Sequence, residues 1–468
     1  MSNYYLAIDI GASSGRHMIG FLDNGKLKLE EIYRFENGMI EKNGHLCWDV
    51  DKLFEEILNG LKKCAEVGKI PSYMGIDTWA VDFVLLDEDH QMVGDAVGYR
   101  DWRTAGMDQL VYEKISPQDL YERTGIQKLS FNTIYQLMAL KSKQPELLSR
   151  AKSLLMIPDY FHFLLTGVKK TEYTNATSTQ LVGARTLDWD EELIKRLGYP
   201  REIFGKISKP GTTVGAFTET IATIVGFNCE VVLPATHDTA SAVVAVPSNE
   251  ADTLYLSSGT WSLMGVERTT PDCSTASMAY NFSHEGGYDY RYRYLKNIMG
   301  LWMIQALKRE LADEYSFAQL CDLASTVTIT SIVNPQDIRF LAPNSMIHAL
   351  QQYCEEHQLI VPKTTGELAA VIYNSLAECY KTTIAELEEM MKKEYKAIHI
   401  IGGGANAEYL NEITAQRSGK NIHAGPIEAT AIGNIVVQML ATGVFSDLKT
   451  ARQCIYDSFE IKHYKGAN

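Results

Sequence analysis

A short glycine- and serine-rich loop that follows an apolar stretch occurs twice in the chain, about half a chain apart. The first copy, DIGASSGR, occupies residues 9–16 after the apolar residues 4–8, and the second, SSGTW, occupies residues 257–261 after residues 254–256. Each apolar stretch is typical of a buried strand, and the small residues permit a tight turn whose backbone amides can approach an anion. A duplicated strand and turn predicts two similar α/β halves, each with a loop for phosphate.

The first loop carries the side chains that an ATP site requires. Asp9 offers a carboxylate for Mg²⁺, and Arg16 offers a planar positive group for phosphate. Ser13 and Ser14 add hydroxyl donors. Glycine- and serine-rich hairpins are also common as plain turns, so this loop alone is equally consistent with a structural role. A third loop, the glycines at 402–404, follows another apolar strand but lacks the spacing and the later acidic residue of a nicotinamide site.

The bulk properties narrow the class of protein. A length of 468 residues predicts at least two domains, and the net charge of −14 without a basic block argues against nucleic acid as a partner. The eight cysteines show neither a CxxC pair nor zinc-finger spacing, which is typical of reduced thiols. The chain starts without a basic leader, and its longest uncharged run, residues 429–446, contains Asn434 and Gln438, which predicts a buried helix rather than a membrane span. We expect a cytoplasmic protein, and the sequence leaves both a monomer and a dimer open.

A second group of polar side chains follows the strand predicted at residues 73–76. Asp77 and Asp82 flank a hydroxyl and an indole at the end where open α/β sheets bind ligands. Carboxylates accept hydrogen bonds from sugar hydroxyls, and an aromatic face stacks on C–H groups, so this group suits a sugar. Composition alone favours the alternative, a hairpin with a tryptophan in the core. Asp101 and Arg103, further along, fit a substrate contact and an ion pair that braces a loop equally well.

A third group, PATHDTAS at residues 234–241, connects a strand predicted at 229–233 to a small-residue helix predicted at 240–246. Asp238 stands where this helix starts, and an aspartate there commonly caps the helix by accepting backbone N–H bonds. Phosphoryl transfer to an alcohol needs a carboxylate within hydrogen-bond reach of the attacking hydroxyl. Asp238 fits both roles, which are compatible. His237 fits a structural or sugar-contacting role better than the role of a base.

With these motifs the chain resembles the FGGY carbohydrate kinases of the actin, hexokinase and heat-shock chaperone ATPase superfamily, and within them the members that phosphorylate L-rhamnulose. The similar segments include GIDTWAVDF at 75–83, EYTNATSTQL at 172–181, HDTASAV at 237–243, LKNIMGLW at 295–302 and AGPIEAT at 424–430. The resemblance implies an α/β fold of two duplicated actin-like (ribonuclease H-like) ATPase domains with an active-site cleft between them. We expect these domains at residues 1–245 and 246–468, with a polar connector at 247–252.

The resemblance also implies the chemistry, which is transfer of the γ-phosphoryl group of ATP, with Mg²⁺, to the C1 hydroxyl of L-rhamnulose. It makes Asp238 the general base and Asp9 the metal ligand. It places the nucleotide at Ala12, Ser13, Ser14, Gly15, Arg16, Thr260, Gln305 and Gly403, and the ketose at Thr78, Trp79, Ala80, Asp82, His237, Thr239 and Asn297. One departure is Ala80, which stands where the resembling kinases have glycine and adds a methyl group at a sugar contact.

Two alternative functions remain open at this point. The first is the same kinase chemistry on another ketose, such as L-fuculose, D-xylulose or L-ribulose. The second is a non-enzymatic nucleotide switch like the actin or chaperone members of the superfamily. The presence of Asp238 argues against a switch, because a switch needs no base directed at a sugar hydroxyl.

Hydrophobic periodicity predicts the remaining elements. A helix that Asp51 is expected to cap carries an apolar stripe and ends at Gly68. Residues 174–179 are polar without periodicity and are predicted as a loop near the site. A strand is predicted at 26–35, and helices are predicted at 118–124, 135–143, 145–151, 159–165, 298–311, 368–392, 429–441 and 448–458.

Overall fold

A computed structural model of the protein describes residues 3–250, 253–341 and 343–467. Residues 251 and 252, the end of the predicted connector, lie outside these ranges. The chain forms two compact units. Unit 1 contains Met1–Ala245, Glu267–Tyr294 and Thr430–Ser458, and unit 2 contains Val246–Val266, Leu295–Ala429 and Phe459–Asn468. Glu267–Tyr294 and Thr430–Ser458, from the second half of the chain, therefore belong to the same unit as Met1–Ala245. The predicted boundary at residue 245 assigns these two segments to the second domain instead.

Both units contain strands and helices. The strands are β1 Tyr5–Ile10, β2 Ser14–Asp23, β3 Lys26–Glu36, β4 Met39–Lys42, β5 His45–Trp48, β6 Tyr73–Thr78, β7 Phe83–Leu86, β8 Ser153–Met156, β9 Thr171–Glu172, β10 Ile207–Ser208, β11 Thr213–Ala216, β12 Glu230–Val232, β13 Thr253–Ser258, β14 Trp261–Arg268, β15 Ser283–Gly286, β16 Tyr292–Met299, β17 Ala397–Ile401, β18 Asn421–Ala424 and β19 Lys462–Tyr464. The helices are α1 Val50–Glu66, α2 Met107–Tyr112, α3 Pro117–Thr124, α4 Thr133–Lys143, α5 Pro145–Arg150, α6 Ile157–Thr166, α7 Tyr173–Thr177, α8 Glu191–Leu197, α9 Glu219–Val225, α10 Asp238–Val244, α11 Thr275–Ala279, α12 Trp302–Glu310, α13 Phe317–Ser325, α14 Met346–Glu356, α15 Thr365–Met391, α16 Glu408–Ser418, α17 Ala429–Ala441 and α18 Leu448–Ser458.

The central sheet of unit 1 has the strand order β11-β12-β6-β1-β2-β3. Strand β1 is antiparallel to β2 and parallel to β6. Every residue of β1 is buried, as expected for a central strand that is covered on both faces of the sheet. In this register Asp9 at the end of β1 lies opposite Arg16 on β2 and opposite Asp77 on β6. The sheet therefore brings residues from three strands to one end.

Helix α1 covers unit 1 with the apolar stripe that the sequence predicts. Leu53, Ile57 and Leu61 are buried in one cluster with the strand β1 side chains. The predicted cap is wrong by two residues. The side chain of Asp49, not that of Asp51, accepts the N–H of Lys52 and caps the N-terminus of the helix.

Helices α10 and α17 touch backbone to backbone inside unit 1. A Cβ atom at Gly433 on α17 would lie 1.7 Å from the carbonyl oxygen of Ser241 on α10. No side chain fits in this space, so glycine is required for the two helices to cross at this distance. Because α10 begins at Asp238, the position of α17 fixes the position of the predicted base.

A second, seven-stranded sheet has the order β15-β16-β14-β13-β17-β18-β19, and most of its strands belong to unit 2. Strand β15, the last two residues of β14 and the first three of β16 belong to unit 1. Strand β13 is antiparallel to β14 and parallel to β17. This repeats the arrangement of β1 with β2 and β6, so the duplication predicted from the two loops is present in the topology. The long helix α15 has a buried face that runs from Leu368 to Leu387.

The predicted elements agree with the structure except at two places. Residues 174–179 are not a loop, because Glu172 caps the buried helix α7 through the N–H groups of Thr174 and Asn175. The helix predicted at 298–311 starts only at Trp302, since the residues before it complete β16. Within the described ranges, none of the helices has the length and apolar character that crossing a membrane requires.

Candidate active site

The first glycine- and serine-rich loop joins β1 to β2. The N–H of Gly11 donates to the carbonyl of Ser14 at 2.9 Å, and the side chain of Asn37 donates to the carbonyl of Gly11 at 2.7 Å. Ala12 and Ser14 are half-buried and Ser13 is exposed, so the tip of the loop faces solvent. The loop carbonyl groups thus accept hydrogen bonds from Asn37, which follows β3, and from the loop itself. These bonds give the loop a fixed shape before any ligand binds.

Asp9 and Arg16, at the two ends of this loop, form an ion pair. Arg16 donates from Nε at 3.1 Å and from Nη2 at 2.8 Å, both to Oδ2 of Asp9. Asp9 is buried, and the Arg16 side chain is 23% exposed. The guanidinium thus neutralises the carboxylate and still faces solvent on one side.

Asp77 lies beside Asp9 and is fully buried. Its Oδ2 accepts from Asn434 on α17 at 2.5 Å, and its Oδ1 has no hydrogen-bond partner. Gln438, one helical turn further on, donates to Asn434 at 2.7 Å and to the carbonyl of Leu6 at 2.9 Å. Burial and the nearby Asp9 raise the pKa of Asp77 well above its usual range. The polar residues of the apolar helix α17 therefore serve to hold this carboxyl group.

Asp238 is the first residue of α10, and its Oδ2 is open. Oδ1 accepts the N–H of Thr239 at 2.5 Å and its hydroxyl at 3.1 Å. Among the described residues none donates to Oδ2, and the side chain is 32% exposed. Burial, with the nearby Asp9 as the second cause, raises the pKa of Asp238 to about 7. A carboxylate with one oxygen held, one open, and a pKa near neutrality has the properties of a general base. His237, not Asp238, occupies the cap position of α10, and its side chain makes no capping bond.

The loop that carries Asp238 is held by Glu172, which no part of the sequence reasoning selected as a site residue. The buried carboxylate accepts the N–H of Thr236 at 3.1 Å and its hydroxyl at 2.7 Å. It also accepts the N–H of Thr174 at 2.8 Å, and the hydroxyl of Thr174 accepts the N–H of His237 at 3.2 Å. The segment EYTNATSTQL thus lies next to the base as expected, but as a buried brace.

His237 connects Asp238 to a buried ion pair. Its Nε2 lies 3.5 Å from Oδ1 of Asp238, and its Nδ1 lies 2.9 Å from Nη2 of Arg293. Arg293 also donates to Glu285 at 3.1 Å. Burial and the charge of Arg293 hold the pKa of His237 well below its usual range, so the imidazole is neutral.

The predicted sugar group around Trp79 forms a tightly bonded turn after β6. Oδ2 of Asp82 accepts from the indole N–H groups of Trp48 at 2.7 Å and Trp79 at 3.0 Å, and Gln136 donates to Oδ1 at 2.9 Å. The two indole rings pack with centroids 3.9 Å apart. Burial raises the pKa of Asp82 to about 6. Trp79 and Asp82 are therefore part of the core of unit 1 as well as candidates for the sugar site.

Val81, in the same turn, adopts a strained backbone conformation. Its φ is +66°, a region that a β-branched residue rarely enters and that costs on the order of 1–3 kcal/mol. The hydroxyl of Thr133 donates to its carbonyl at 2.6 Å, and its N–H donates to Ser178 at 3.2 Å. These bonds hold the turn in a shape that exposes part of Ala80.

The remaining sugar-site candidates of unit 1 form hydrogen bonds within that unit. Thr78 is buried, donates to the carbonyl of Trp79 and bridges to His237, so it joins the β6 end to the base loop. Thr239 holds Asp238. The carboxylate of Asp101 accepts from His45 and from the backbone of Arg103, whose side chain donates to Gln136. Both Asp101 and Arg103 are buried in loop contacts and brace the turn that holds Asp82.

In unit 2 the predicted nucleotide residues gather around the β13–β14 turn. Thr260 donates to Gln305 on α12 at 3.5 Å, and its carbonyl accepts the N–H of Trp302 at 3.1 Å. A Cβ at Gly404 would lie 2.0 Å from Oγ of Ser258, so the glycine loop lies flat on β13. Gly403 has open space around its missing Cβ, which suits a planar ligand. Asn297 is half-buried on β16 of this unit.

The carboxyl groups of unit 1 suit a hard cation. Asp9 raises the pKa of both Asp77 and Asp238, which means that negative charge is concentrated at the end of the sheet. In the part of the chain that the structure describes, no group of three or more His, Cys, Asp or Glu side chains can hold a metal ion. One or two carboxylates, together with water and substrate phosphates, are the usual ligands of Mg²⁺.

Comparison with known proteins decides the family. The model of the N-terminal domain of the FGGY family of carbohydrate kinases matches residues 4–245, and the model of its C-terminal domain matches residues 254–442. The chain belongs to the FGGY family of carbohydrate kinases. An FGGY kinase is an ATP-dependent enzyme that phosphorylates a sugar, so the alternative of a non-enzymatic switch does not apply.

Several relatives of this FGGY kinase carry the name rhamnulokinase. The protein of that name from Halalkalibacterium halodurans is 54% identical over 100% of this chain and 99% of its own length. The one from Oceanobacillus iheyensis is 50% identical over 99% of this chain and 98% of its own length. The one from Bacillus subtilis is 44% identical over 98% of this chain and 94% of its own length.

Solved structures confirm the fold. A ligand-bound xylulose kinase from Lactobacillus acidophilus has a TM-score of 0.81 and 18% identity, and covers 99% of this chain and 94% of that one. A glycerol kinase from Plasmodium falciparum with ADP has a TM-score of 0.77 and 17% identity, and covers 100% of this chain and 95% of that one. The predicted α/β fold of two actin-like domains is therefore confirmed.

Proposed function

We propose that this FGGY kinase transfers the γ-phosphoryl group of ATP to the C1 hydroxyl of L-rhamnulose. The observation that carries the proposal is the open Oδ2 of Asp238, held at the end of the sheet beside Asp9 and the first phosphate loop. The relatives named rhamnulokinase support L-rhamnulose as the ketose. We further propose that residues 1–245 and 246–468 are the two domains of the enzyme.

Asp238 acts as the general base. Its Oδ2 accepts the proton of the C1 hydroxyl as the oxygen attacks the γ-phosphorus atom, while Thr239 keeps Oδ1 in place. The pKa of about 7 leaves a substantial fraction of Asp238 ionised at neutral pH and makes it basic enough to take the proton. His237 is neutral and fully engaged, so it orients the carboxylate and takes no proton itself.

We assign nucleotide-binding roles to residues within each unit separately. In unit 1, Ala12, Ser13, Ser14 and Gly15 present the phosphate loop, and Arg16 supplies positive charge. In unit 2, Thr260 contacts phosphate, Gln305 orients Thr260, and Gly403 lies against the adenosine. Mg²⁺ held by Asp9 would neutralise charge on the transferred phosphate. When ATP and Mg²⁺ arrive, Arg16 can exchange its bonds to Asp9 for bonds to phosphate oxygens, because part of its side chain already faces solvent.

The ketose is bound by Thr78, Trp79, Ala80, Asp82, His237, Thr239 and Asn297. In this group Trp79 and Asp82 act mainly by fixing the turn, since their polar atoms are already bonded within unit 1. The half-buried Ala80 is the member whose side chain sets the room for the sugar. The cytoplasmic location and the oligomeric state stay predictions.

The test is ADP release in the presence of Mg²⁺ and ATP, measured with L-rhamnulose, L-fuculose, D-xylulose, L-ribulose and no sugar. We expect strong stimulation by L-rhamnulose, and a phosphate on C1 when the product is analysed by ³¹P and ¹³C NMR. Equal stimulation by several ketoses would keep the kinase and reject the single substrate. Because the methyl group of Ala80 alters the sugar contact, Ala80→Gly should shift the ratio of kcat/KM values among the ketoses if this residue sets the preference.

A further inference from the structure

Arg293 is a completely buried arginine with a defined set of acceptors, and no motif in the sequence points to it. Nε donates to the carbonyl of Gly286 at 2.8 Å. Nη2 donates to Oε2 of Glu285 at 3.1 Å and lies 2.9 Å from Nδ1 of His237. A guanidinium stays protonated in proteins and has no acceptor atom, so Nη2 can only donate in each of these contacts.

This arrangement decides which nitrogen of His237 carries the proton. A proton on Nδ1 would place two N–H groups against each other at 2.9 Å, which is unfavourable. Oε2 of Glu285 lies farther away, 3.4 Å from Nδ1, and already receives Arg293. Nδ1 is therefore the acceptor, and in the neutral ring the proton is on Nε2.

The protonated Nε2 is the atom that faces Asp238. It lies 3.5 Å from Oδ1, the same oxygen that accepts the N–H and the hydroxyl of Thr239. We propose that Arg293 is a positioning residue for the reaction, which fixes the His237 tautomer so that Nε2–H faces Asp238 Oδ1 and leaves Oδ2 for the sugar hydroxyl. This inference rests on the proposed function of Asp238 as the base.

The charges around Asp238 make this contact important. Asp9 and Asp77 are neighbouring carboxyl groups that disfavour ionisation of Asp238, in addition to its burial. Arg293 is the positive group that favours it, and Glu285 offsets part of that charge. Without the guanidinium and the Nε2–H that it fixes, Oδ1 of the anionic form of Asp238 keeps only its two bonds from Thr239.

One group of Arg293 is left for a ligand. Nη1 is buried and has no hydrogen-bond partner. A buried N–H of this kind is unfavourable unless a water molecule or a ligand oxygen accepts from it.

The test compares Arg293→Met and Arg293→Lys with a matched control, Arg452→Met. Arg452 is also a buried arginine of unit 1; it pairs with Glu267 at 2.6 Å and donates to the carbonyl of Val243 at 2.9 Å, at the other end of α10. The readouts are kcat and the pH profile of kcat/KM for L-rhamnulose, both at saturating Mg²⁺ and ATP. Arg293→Met should lower kcat by about tenfold or more and move the acidic limb upward by about one pH unit, the low end of what a nearby opposite charge produces. Arg293→Lys keeps the charge and should recover at least half of that shift.

Arg452→Met should reduce thermal stability and leave the limb in place. An Arg293→Met profile with an unmoved limb and a kcat loss no larger than that of Arg452→Met would overturn the proposal. Wild-type protein without sugar-dependent ADP release would instead reject the function on which it rests, so the two failures are distinct. A second measurement uses the unchanged protein, because ¹⁵N–¹H NMR of its histidines reports tautomers directly. We expect His237 to carry its proton on Nε2, and a proton on Nδ1 would overturn the proposal.

Discussion

Replacing Gly433 by alanine should destabilise the protein although alanine is the better helix former. In the interior of α17 the exchange gains about 1 kcal/mol of helix propensity. The added Cβ would lie 1.7 Å from the carbonyl oxygen of Ser241 and 2.6 Å from its carbonyl carbon, and both are backbone atoms that cannot rotate away. To reach even 3.0 Å, the helices would have to separate by roughly 1.3 Å, and such overpacking of a close-packed interior costs about 1–3 kcal/mol.

The separation would also break the hydrogen bond that holds Asp77. Asn434 is the next residue on α17, and its 2.5 Å bond to Asp77 would lengthen beyond hydrogen-bond range if α17 moved by that amount. A buried carboxyl that loses its donor costs a further 1–3 kcal/mol or so. The two losses together exceed the gain of about 1 kcal/mol, and we expect a net destabilisation of about 1–5 kcal/mol.

Thermal and urea unfolding of the two proteins, without ligands, would measure the difference. The matched control is Gly38→Ala, because Gly38 is exposed and a Cβ there would meet nothing within 4 Å. We expect the melting temperature to fall by several degrees for Gly433→Ala and to be unchanged or slightly higher for Gly38→Ala. A Gly433→Ala protein as stable as the wild type would refute the close crossing of α10 and α17.

Three further predictions concern the carboxyl groups. Because Asp238 must be ionised to accept a proton and its pKa is about 7, kcat/KM should fall about tenfold per pH unit below pH 7; a flat profile from pH 5 to 8 would contradict this. Burial in the folded protein raises the pKa of Asp77, so above the ordinary carboxyl pKa the folded wild type holds a proton that the unfolded chain has released, and it loses stability as the pH rises toward the raised pKa; Asp77→Asn lacks this loss, and its melting temperature relative to wild type should therefore increase with pH, whereas a constant difference would contradict the shift. Removing Mg²⁺ with a chelator should abolish activity, and Asp9→Asn should raise the Mg²⁺ concentration for half-maximal activity by about tenfold or more. The same half-maximal Mg²⁺ concentration in Asp9→Asn and wild type would contradict the role of Asp9 as a metal ligand.

The sequence was sufficient for the parts of the fold that depend on local patterns. The apolar strands before the two phosphate loops, the stripe of α1 and the long helices α15, α17 and α18 follow from residue type and spacing. The cap of α1 was misplaced because Asp49 and Asp51 are both suitable, and only the backbone geometry selects between them.

Features that depend on distant residues could not be read from the sequence. Helix α7 has too little apolar periodicity to be predicted, and Glu172, which caps it, finds its other partner at Thr236, 64 residues away. Asn434 stands out in the sequence as a polar residue in an apolar helix, but its partner Asp77 lies 357 residues earlier in the chain. In each case the hydrogen-bond partner of the side chain is known only once the fold has brought the two residues together.

The candidate site likewise contains residues that the sequence identifies and residues that only the structure identifies. Asp9, Arg16 and Asp238 stand at strand ends and in loops, where the order of residues already suggests chemistry. Arg293 lies within the basic and aromatic stretch RYRYLK, which is typical of an ordinary exposed strand. Its burial and its contact with His237 arise from the pairing of segments that are 56 residues apart.

The central claim is that Asp238 takes the proton from the sugar hydroxyl, and kcat of Asp238→Asn with L-rhamnulose, Mg²⁺ and ATP tests it most directly. Asparagine keeps the size of the side chain and its bonds from Thr239, so binding should persist. The account predicts a kcat about 10²–10⁴-fold below that of the wild type, the scale of a lost general base, with ATP affinity nearly unchanged. A kcat equal to that of the wild type would contradict it.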